Sequence, residues 1–406
     1  MKKLTEKLAF VFLAGIAISL SACNKKDSIE SMHEKVLFEM EYGNFTEQVS
    51  PDDLNRIGDV RYGIAMQDGF FYLVDGCSNK LMEMNSYGDL LTLFYNEDSE
   101  LATLLSKTER STGYSAWEIN YPFNFNGQIV VDSEKTIFAV CNLPSERYEK
   151  NENGQLCTQV VMRMARDGSS IDYIGQQGNG GSPYPSIKNI YITNNDELVV
   201  VCNTIEGMIV YWYAKEGFLK NTIPVSNKNV PIIRAETPGA EVYMTLDNII
   251  PDPSVDKVYL KVDYYNASYD DDSSVQTGIN YTQSLIYPLD CETSLYEDSV
   301  SIPPYEESIV SDYSKITYKI PYDFLGMTPN GWKYFIIKTA DGFSLELIQS
   351  ESQKLIRRNF KINHNENMYF NMYLSRDGII TVFYMDKNKP KVAWYRTDSI
   401  IDNLIQ

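Results

Sequence analysis

Histidine is nearly missing from this chain: of 406 residues only two are histidine, His33 and His364. That scarcity strips imidazole proton transfer and histidine-rich metal sites of most of their candidates. Cysteine is sparse too. After Cys23 come Cys77, Cys141, Cys157, Cys202 and Cys291, with no C-x-x-C spacing, so a zinc knuckle or a disulfide framework is not expected. Cys141 in FAVCN and Cys202 in VVVCN end apolar strands in like positions and read as small core residues. Positive charge is in deficit, with 36 Lys and Arg against 55 Asp and Glu and a formal charge of −19. Neither nucleic acid nor an anionic lipid surface attracts such a chain. Helical periodicity is almost absent, and only Asp98 to Lys107 suggests a helical turn or two.

Long apolar runs are also lacking, except at the start. Lys2, Lys3 and Lys7 precede an apolar stretch from Leu8 to Leu20 that is too short to span a bilayer comfortably, the pattern of a signal peptide. Leu20-Ser21-Ala22-Cys23 resembles the bacterial lipobox, in which the cysteine thiol takes a diacylglycerol and becomes the new N-terminus. The expected organisation is a signal peptide over residues 1–22, a lipidated tether over 23–34 anchored at Cys23, and a single domain over 35–406. The body is thus expected in the cell envelope, held to a membrane, the outer one, through its N-terminal lipid.

What the chain has in quantity is strand. In Asp68 to Gly88 a turn acid precedes a strand, a polar corner, a second strand ending at Met84 and a glycine turn, and Asp196 to Gly217 repeats the arrangement with Trp212 in the place of Met84. A third copy starts at Asp132 and ends with Met164 and Gly168, and a fourth holds Asp377-Gly378 and Trp394. Weaker copies cover Val255 to Pro288 and Trp332 to Phe360, the latter with a hairpin at Asp341-Gly342. Apolar and polar residues alternate within them and D-G pairs punctuate them, as half-buried antiparallel strands require. Units of this length, each unable to bury both sheet faces alone, define an all-β β-propeller. Six units span 57–396, and six blades are expected, with seven as the alternative if Thr317 to Phe324 belongs to a further sheet. The last unit has three clear strands, so the orphan strand Lys35 to Phe45 is expected to complete the last blade and close the ring.

NSYGDLL (85–91), GQQGNGGSPYP (175–185), VYW (210–212) and KVDYY (261–265) together resemble a family of spirochaete lipoproteins with propeller-type, NHL-like repeats and no assigned biochemical role. The resemblance implies an outer-membrane partner, the β-barrel assembly machinery among the candidates, and supplies no catalytic residues. With no nucleophile elbow and no cysteine near a histidine in sequence, the leading expectation is a protein-binding scaffold that is not an enzyme and needs no cofactor. The alternatives are a propeller hydrolase or lyase with a carboxylate-lined channel, and a glycan-binding propeller.

The glycine-rich segment Gly175 to Pro185 lacks the P-loop pattern and reads as an interblade loop, with Tyr184 in it and Tyr191 nearby as candidate partner-binding aromatics. Thirty tyrosines suit strands, interfaces and sugar stacking alike. The acidic stretch Asp263 to Ser274 lacks the spacing of a calcium loop and reads as a solvated insertion. If a metal sat in the channel, Asp75, Asp132, Asp196 and Asp263 would be the carboxylates placed to hold it.

Overall fold

The computed structural model describes residues 29–51, 62–102, 116–234, 241–269, 275–311, 314–362 and 367–405. The signal peptide, Cys23 and the start of the tether lie outside the described residues. So does the second half of the Asp98–Lys107 segment, of which Glu100 to Ala102 are helical. No helix among the described residues is long and apolar enough to cross a membrane.

Six sheets, antiparallel except for the parallel outermost strand Trp117–Asn120 of blade 1, form six blades of a β-propeller. Their innermost strands are Tyr62–Gln67, Phe125–Val131, Ile187–Ile192, Val242–Pro251, Asp323–Met327 and Asn367–Leu374, which begin blades 1 to 6 in that order. The chain reads this way because each apolar, β-branched strand is punctuated by residues that accept positive φ. Asp68 and Gly69 (φ 51° and 76°) make the two-residue hairpin of blade 1, Gly378 (φ 79°) sits in the matching inner turn of blade 6, and Gly88, Gly168 and Gly217 (φ 71° to 88°) turn the chain between the third and fourth strands of blades 1 to 3.

Apolar side chains leave both faces of every sheet, so no blade can bury them alone. They meet in six clusters, one at each junction between neighbouring blades, and Phe71, Val74, Val200, Leu260, Tyr334 and Val382 are among the side chains sealed there. Cys141 and Cys202 are buried in two of these junctions, as small core residues should be.

Ring closure follows the expectation and sharpens it. Lys35–Glu39 pairs antiparallel with Pro390–Arg396 as the outermost strand of blade 6, with Lys35 opposite Trp394 and Glu39 opposite Lys391. The closing strand stops there: Glu41–Tyr42 turns away to pair in parallel with Gln48–Val49. Phe38 meets Phe71 of blade 1 edge to face at 5.8 Å, so this strand seals the last junction as well.

The seven-blade alternative is excluded. Tyr305–Ser311 and Ser314–Ile320 pair only with each other, as a hairpin linking blade 4 to blade 5, and Asp323–Met327 already begins blade 5. A second projection comes from blade 4, where Lys257–Tyr269 and Gln276–Asp290 form an unusually long ladder. The acidic stretch from Asp263 is therefore strand as far as Tyr269 and not a solvated insertion. Both projections rise from the side on which the inner strands begin, here the front face; the inner strands end on the back face.

Candidate functional site

Counting back from the last residue of each inner strand aligns the six blades. Three positions back stand Ile64, Gln128, Asn189, Asn248, Phe324 and Asn371, four of them amides. The amides link consecutive blades. Gln128 Nε2 donates to the Lys188 carbonyl (3.0 Å), Asn189 Nδ2 to Asn248 Oδ1 (3.1 Å), and Asn248 Nδ2 to the Phe324 carbonyl (3.2 Å), while Asn371 Oδ1 accepts from the Ile64 amide (3.1 Å). The local reason is a break in the ladder. The pairing register of the inner strand slips in blades 2 to 6, which frees backbone groups that side chains must then satisfy.

One position further toward the front face come Gly63, Gly127, Lys188, Asp247, Asp323 and Phe370. Three consecutive blades thus present a charge at the same level of the channel, two of them, Lys188 and Asp247, on bulges that aim the side chain out of the ladder. In blades 1 and 2 this level carries no side chain: a Cβ on Gly63 would lie 1.5 Å from the Gly127 carbonyl oxygen, so the two blades touch backbone to backbone. A cavity of about 370 Å³ is lined by inner strands of all six blades, Lys188 and Asp323 among them, and runs to the back-face turns at Pro253, Pro329, Ser375 and Arg376.

Blade 4 extends the cluster upward. Lys261 is 1% exposed and lies 3.0 Å from Asp247 and 2.8 Å from Asp263. Asp263 accepts from Ser284 Oγ, which in turn lies 2.8 Å from Tyr281 Oη. Alternation puts Lys261, Asp263 and Tyr265 on one side of the sheet, because Leu260, Val262 and Tyr264 fill the junction with blade 3 on the other. Tyr243, Tyr265 and Tyr281 face one another across three strands, the last two edge to face at 5.9 Å, and form an aromatic wall above the carboxylates.

Burial raises the pKa of Asp263 against the pull of Lys261. Asp323 is raised as well, first by burial and then by Asp247, with Lys261 opposing. It is exposed to the channel and makes no hydrogen bond or ion pair among the described residues. Lys188 is held below its ordinary pKa by burial, opposed by Asp247, and its Nζ donates to the Asp247 carbonyl.

The back of the channel is different. Arg376, in the innermost turn of blade 6, reaches Asp196 in the innermost turn of blade 3 at 3.2 Å. These blades stand opposite each other in a ring of six, so the pair crosses the axis. Asp196 also accepts from the Ser133 amide (2.9 Å) and hydroxyl (2.6 Å) and from Lys215 (3.2 Å), and these contacts hold its pKa below the ordinary value against the opposing effect of burial. Above the pair, Tyr373 of blade 6 packs against the junctions of blades 6/1, 1/2 and 2/3, and Tyr191 of blade 3 against those of 3/4 and 4/5.

The four aspartates considered for a metal do not converge. Asp75 accepts from the Ser50, Cys77 and Ser78 amides in a front-face turn, and Asp132 accepts from the Glu134 and Thr136 amides in its own turn. Asp196 is the back-face anchor. Only Asp263 joins the front cluster, where the Lys261 ammonium holds the place between carboxylates that a cation would need. Among the described residues no group of three or more His, Cys, Asp or Glu side chains is arranged for a metal ion. The two partner-binding aromatics are also corrected. Tyr184 is 0% exposed and donates to Tyr213 Oη at 2.6 Å, and Tyr191 lines the channel. Lys188, Asp247 and Asp323 escaped sequence reasoning because the signal was a distance from each turn, and the turns differ in length.

No family model matches this chain, and no curated protein does either. Among solved structures it is similar to a polysaccharide lyase, an ulvan lyase bound to a glucuronate-rhamnose sulfate chain (10% identity, 89% of this chain and 83% of that one, TM-score 0.39). It is also similar to an α-L-arabinanase of Penicillium chrysogenum complexed with arabinobiose (10% identity, 90% and 98%, TM-score 0.41). A neuraminidase-like protein of A/little yellow-shouldered bat/Guatemala matches at 10% identity over 89% and 99%, with TM-score 0.35. At these values the likeness is one of architecture alone. The expectation that the chain is not an enzyme is nonetheless corrected. It leaned on missing histidines, yet the channel gathers acids and lysines without any histidine.

Proposed function

We propose that the front of the channel is a carbohydrate site and that the chain acts on glycans in the cell envelope, where the Cys23 lipid would keep it. One observation carries this reading: Lys188, Asp247, Lys261, Asp263 and Asp323, from three consecutive blades, converge beneath a wall of tyrosines. Carboxylates and ammonium groups hydrogen-bond hydroxyls, aromatic faces cover the apolar face of a sugar ring, and Asp323 supplies a proton at the mouth. A printed glycan array probed with the full chain tests the reading. Binding is expected to weaken in Tyr265→Ala, and turnover of a bound glycan to fall by about 10²- to 10⁴-fold in Asp323→Asn with binding retained. An array on which no glycan is bound, or on which both variants match the parent, sinks it.

A second reading, docking to an outer-membrane partner such as the barrel-assembly machinery, is favoured by the hairpin between blades 4 and 5. It exposes Ile309, Ile316 and Tyr318 by about half each on the front face. Affinity capture from detergent-solubilised membranes, compared with the Ile309→Ser/Ile316→Ser variant, separates it from the first.

A further inference from the structure

We propose that Tyr281 is the base that takes a proton from the water attacking a bound glycan, and that it hands its own proton inward through Ser284 to Asp263. This rests on the carbohydrate reading above and adds to it the route of the proton and the class of reaction, hydrolysis.

A bulge builds the route. Across the two long strands of blade 4, Asp263 stands opposite Ser284 and Tyr265 opposite Tyr281. Asp263 and Tyr265 are two residues apart and share a face, but Ser284 and Tyr281 are three apart, and on a regular strand that spacing sends side chains to opposite faces. The register slips between Tyr264 and Tyr265, so Thr282 is an extra residue with no partner opposite it. That slip returns Tyr281 to the face that carries Ser284, and Tyr281 Oη lies 2.8 Å from Ser284 Oγ.

Counting hydrogens orients the route. Lys261 Nζ lies 2.9 and 2.8 Å from the two oxygens of Asp263 and favours the ionised carboxylate. A carboxylate only accepts, so the single hydroxyl proton of Ser284, a residue 0% exposed, goes to Asp263. Ser284 has no second proton to give. Tyr281 must therefore donate to Ser284, which keeps a lone pair of its own oxygen for a proton arriving from outside, where the half-buried ring meets solvent.

The step balances. The O–H bond of the water breaks and its electron pair forms the bond to the anomeric carbon, while the glycosidic C–O bond breaks and its pair stays on the leaving oxygen, which takes the proton of Asp323. The proton of the water bonds to Tyr281 Oη, that of Tyr281 moves to Ser284, and that of Ser284 to Asp263. Asp263 is then a donor, so the same hydrogen bonds reverse and return the proton to solvent.

Two experiments on the full chain test the route. In the first, a ring-fluorinated tyrosine replaces Tyr281 and is followed by fluorine NMR against pH. Its signal is expected to shift in a step above the ordinary carboxylate range, where burial places Asp263, and the step is expected to vanish in a Ser284→Ala variant whose melting curve shows it folded. Asp247, Asp323, Lys188 and Lys261 also carry charge in this cluster, and Tyr265 faces the ring. A step that survives Ser284→Ala unchanged is thus a field effect and overturns the route, as does the absence of any step. In the second, the glycan identified on the array is the substrate, in water enriched in heavy oxygen. Each cleavage is expected to leave one heavy oxygen in the product. Tyr281→Phe is expected to lower kcat by about 10²- to 10⁴-fold with KM nearly unchanged, and Ser284→Ala to lower it by at least about tenfold and to flatten its fall toward low pH. Cleavage that incorporates no heavy oxygen, or full kcat in Tyr281→Phe, overturns the role given to Tyr281. If the fluorine step depends on Ser284 but no glycan is cleaved, the hydrogen-bonded route stands and the catalytic role falls with the carbohydrate reading.

Discussion

Asp323 is a carboxyl that the fold treats badly. A group whose pKa rises on folding holds its proton more tightly in the folded chain, so it favours the folded state at low pH and turns against it as the pH climbs through the raised value. At neutral pH the buried Asp263 therefore opposes folding, and Asp323, which stays open to solvent in the channel, does so only weakly. Asp323→Asn is expected to raise Tm at neutral pH, with the gain fading as the pH is lowered below the ordinary carboxylate range; a pH series of thermal melts reads both. A stabilising variant that loses function is the pattern expected of a working site. Lys261 behaves in the opposite way. Lys261→Met leaves Asp247 and Asp263 facing each other with no cation between them and is expected to cost about 3–5 kcal/mol in urea denaturation, part of it recovered by adding Asp263→Leu. Little of this was legible in the sequence. Asp263 stood out for its acidic neighbours, but Lys188 and Asp323 are ordinary residues until the bulged strands place them at one level. Tyr184 misled because a tyrosine in a glycine-rich loop reads as exposed, whereas Gly178 lets the backbone lie against Gly217 and folds that ring under the loop.

At the level of the strand and the turn the sequence was far more readable. Asp-to-Gly spacing was visible because turns that need positive φ tolerate few residues, and a glycine closes the same turn in blades 1 to 3, at Gly88, Gly168 and Gly217. Inner-strand bulges were invisible, since an extra residue in a strand alters no composition. Two predictions belong here. Gly63→Ala is expected to prevent folding or cost several kcal/mol, because its φ is unremarkable and the whole penalty is the 1.5 Å overlap with the Gly127 carbonyl, which only movement of an inner strand can relieve. Circular dichroism and chemical denaturation check it, with Gly69→Ala as the comparison, where a positive φ but no neighbour stands in the way. Phe38→Ala is expected to cost about 3–5 kcal/mol, since the ring it removes seals the junction of blades 6 and 1. A chain starting at residue 46, which lacks the closing strand altogether, should melt well below one starting at Asp27.

For the molecule as a whole, closure by the first strand has a temporal side. Glu34 and Tyr395, which meet at the seam, are 361 positions apart, so the strand made first can settle only after the last blade has been made. Contacts this distant in sequence carry a large loop-closure cost and belong to slow folders. Until then blade 6 shows an unpaired edge and Phe71 has no cover, which is the state most open to wrong pairings with other chains. A ribosome or an export channel that holds back the final stretch therefore holds back the whole ring. Refolding monitored by quenching of Trp394 fluorescence, with Lys35 placed 5.3 Å from its ring, should show the seam forming in the last and slowest phase.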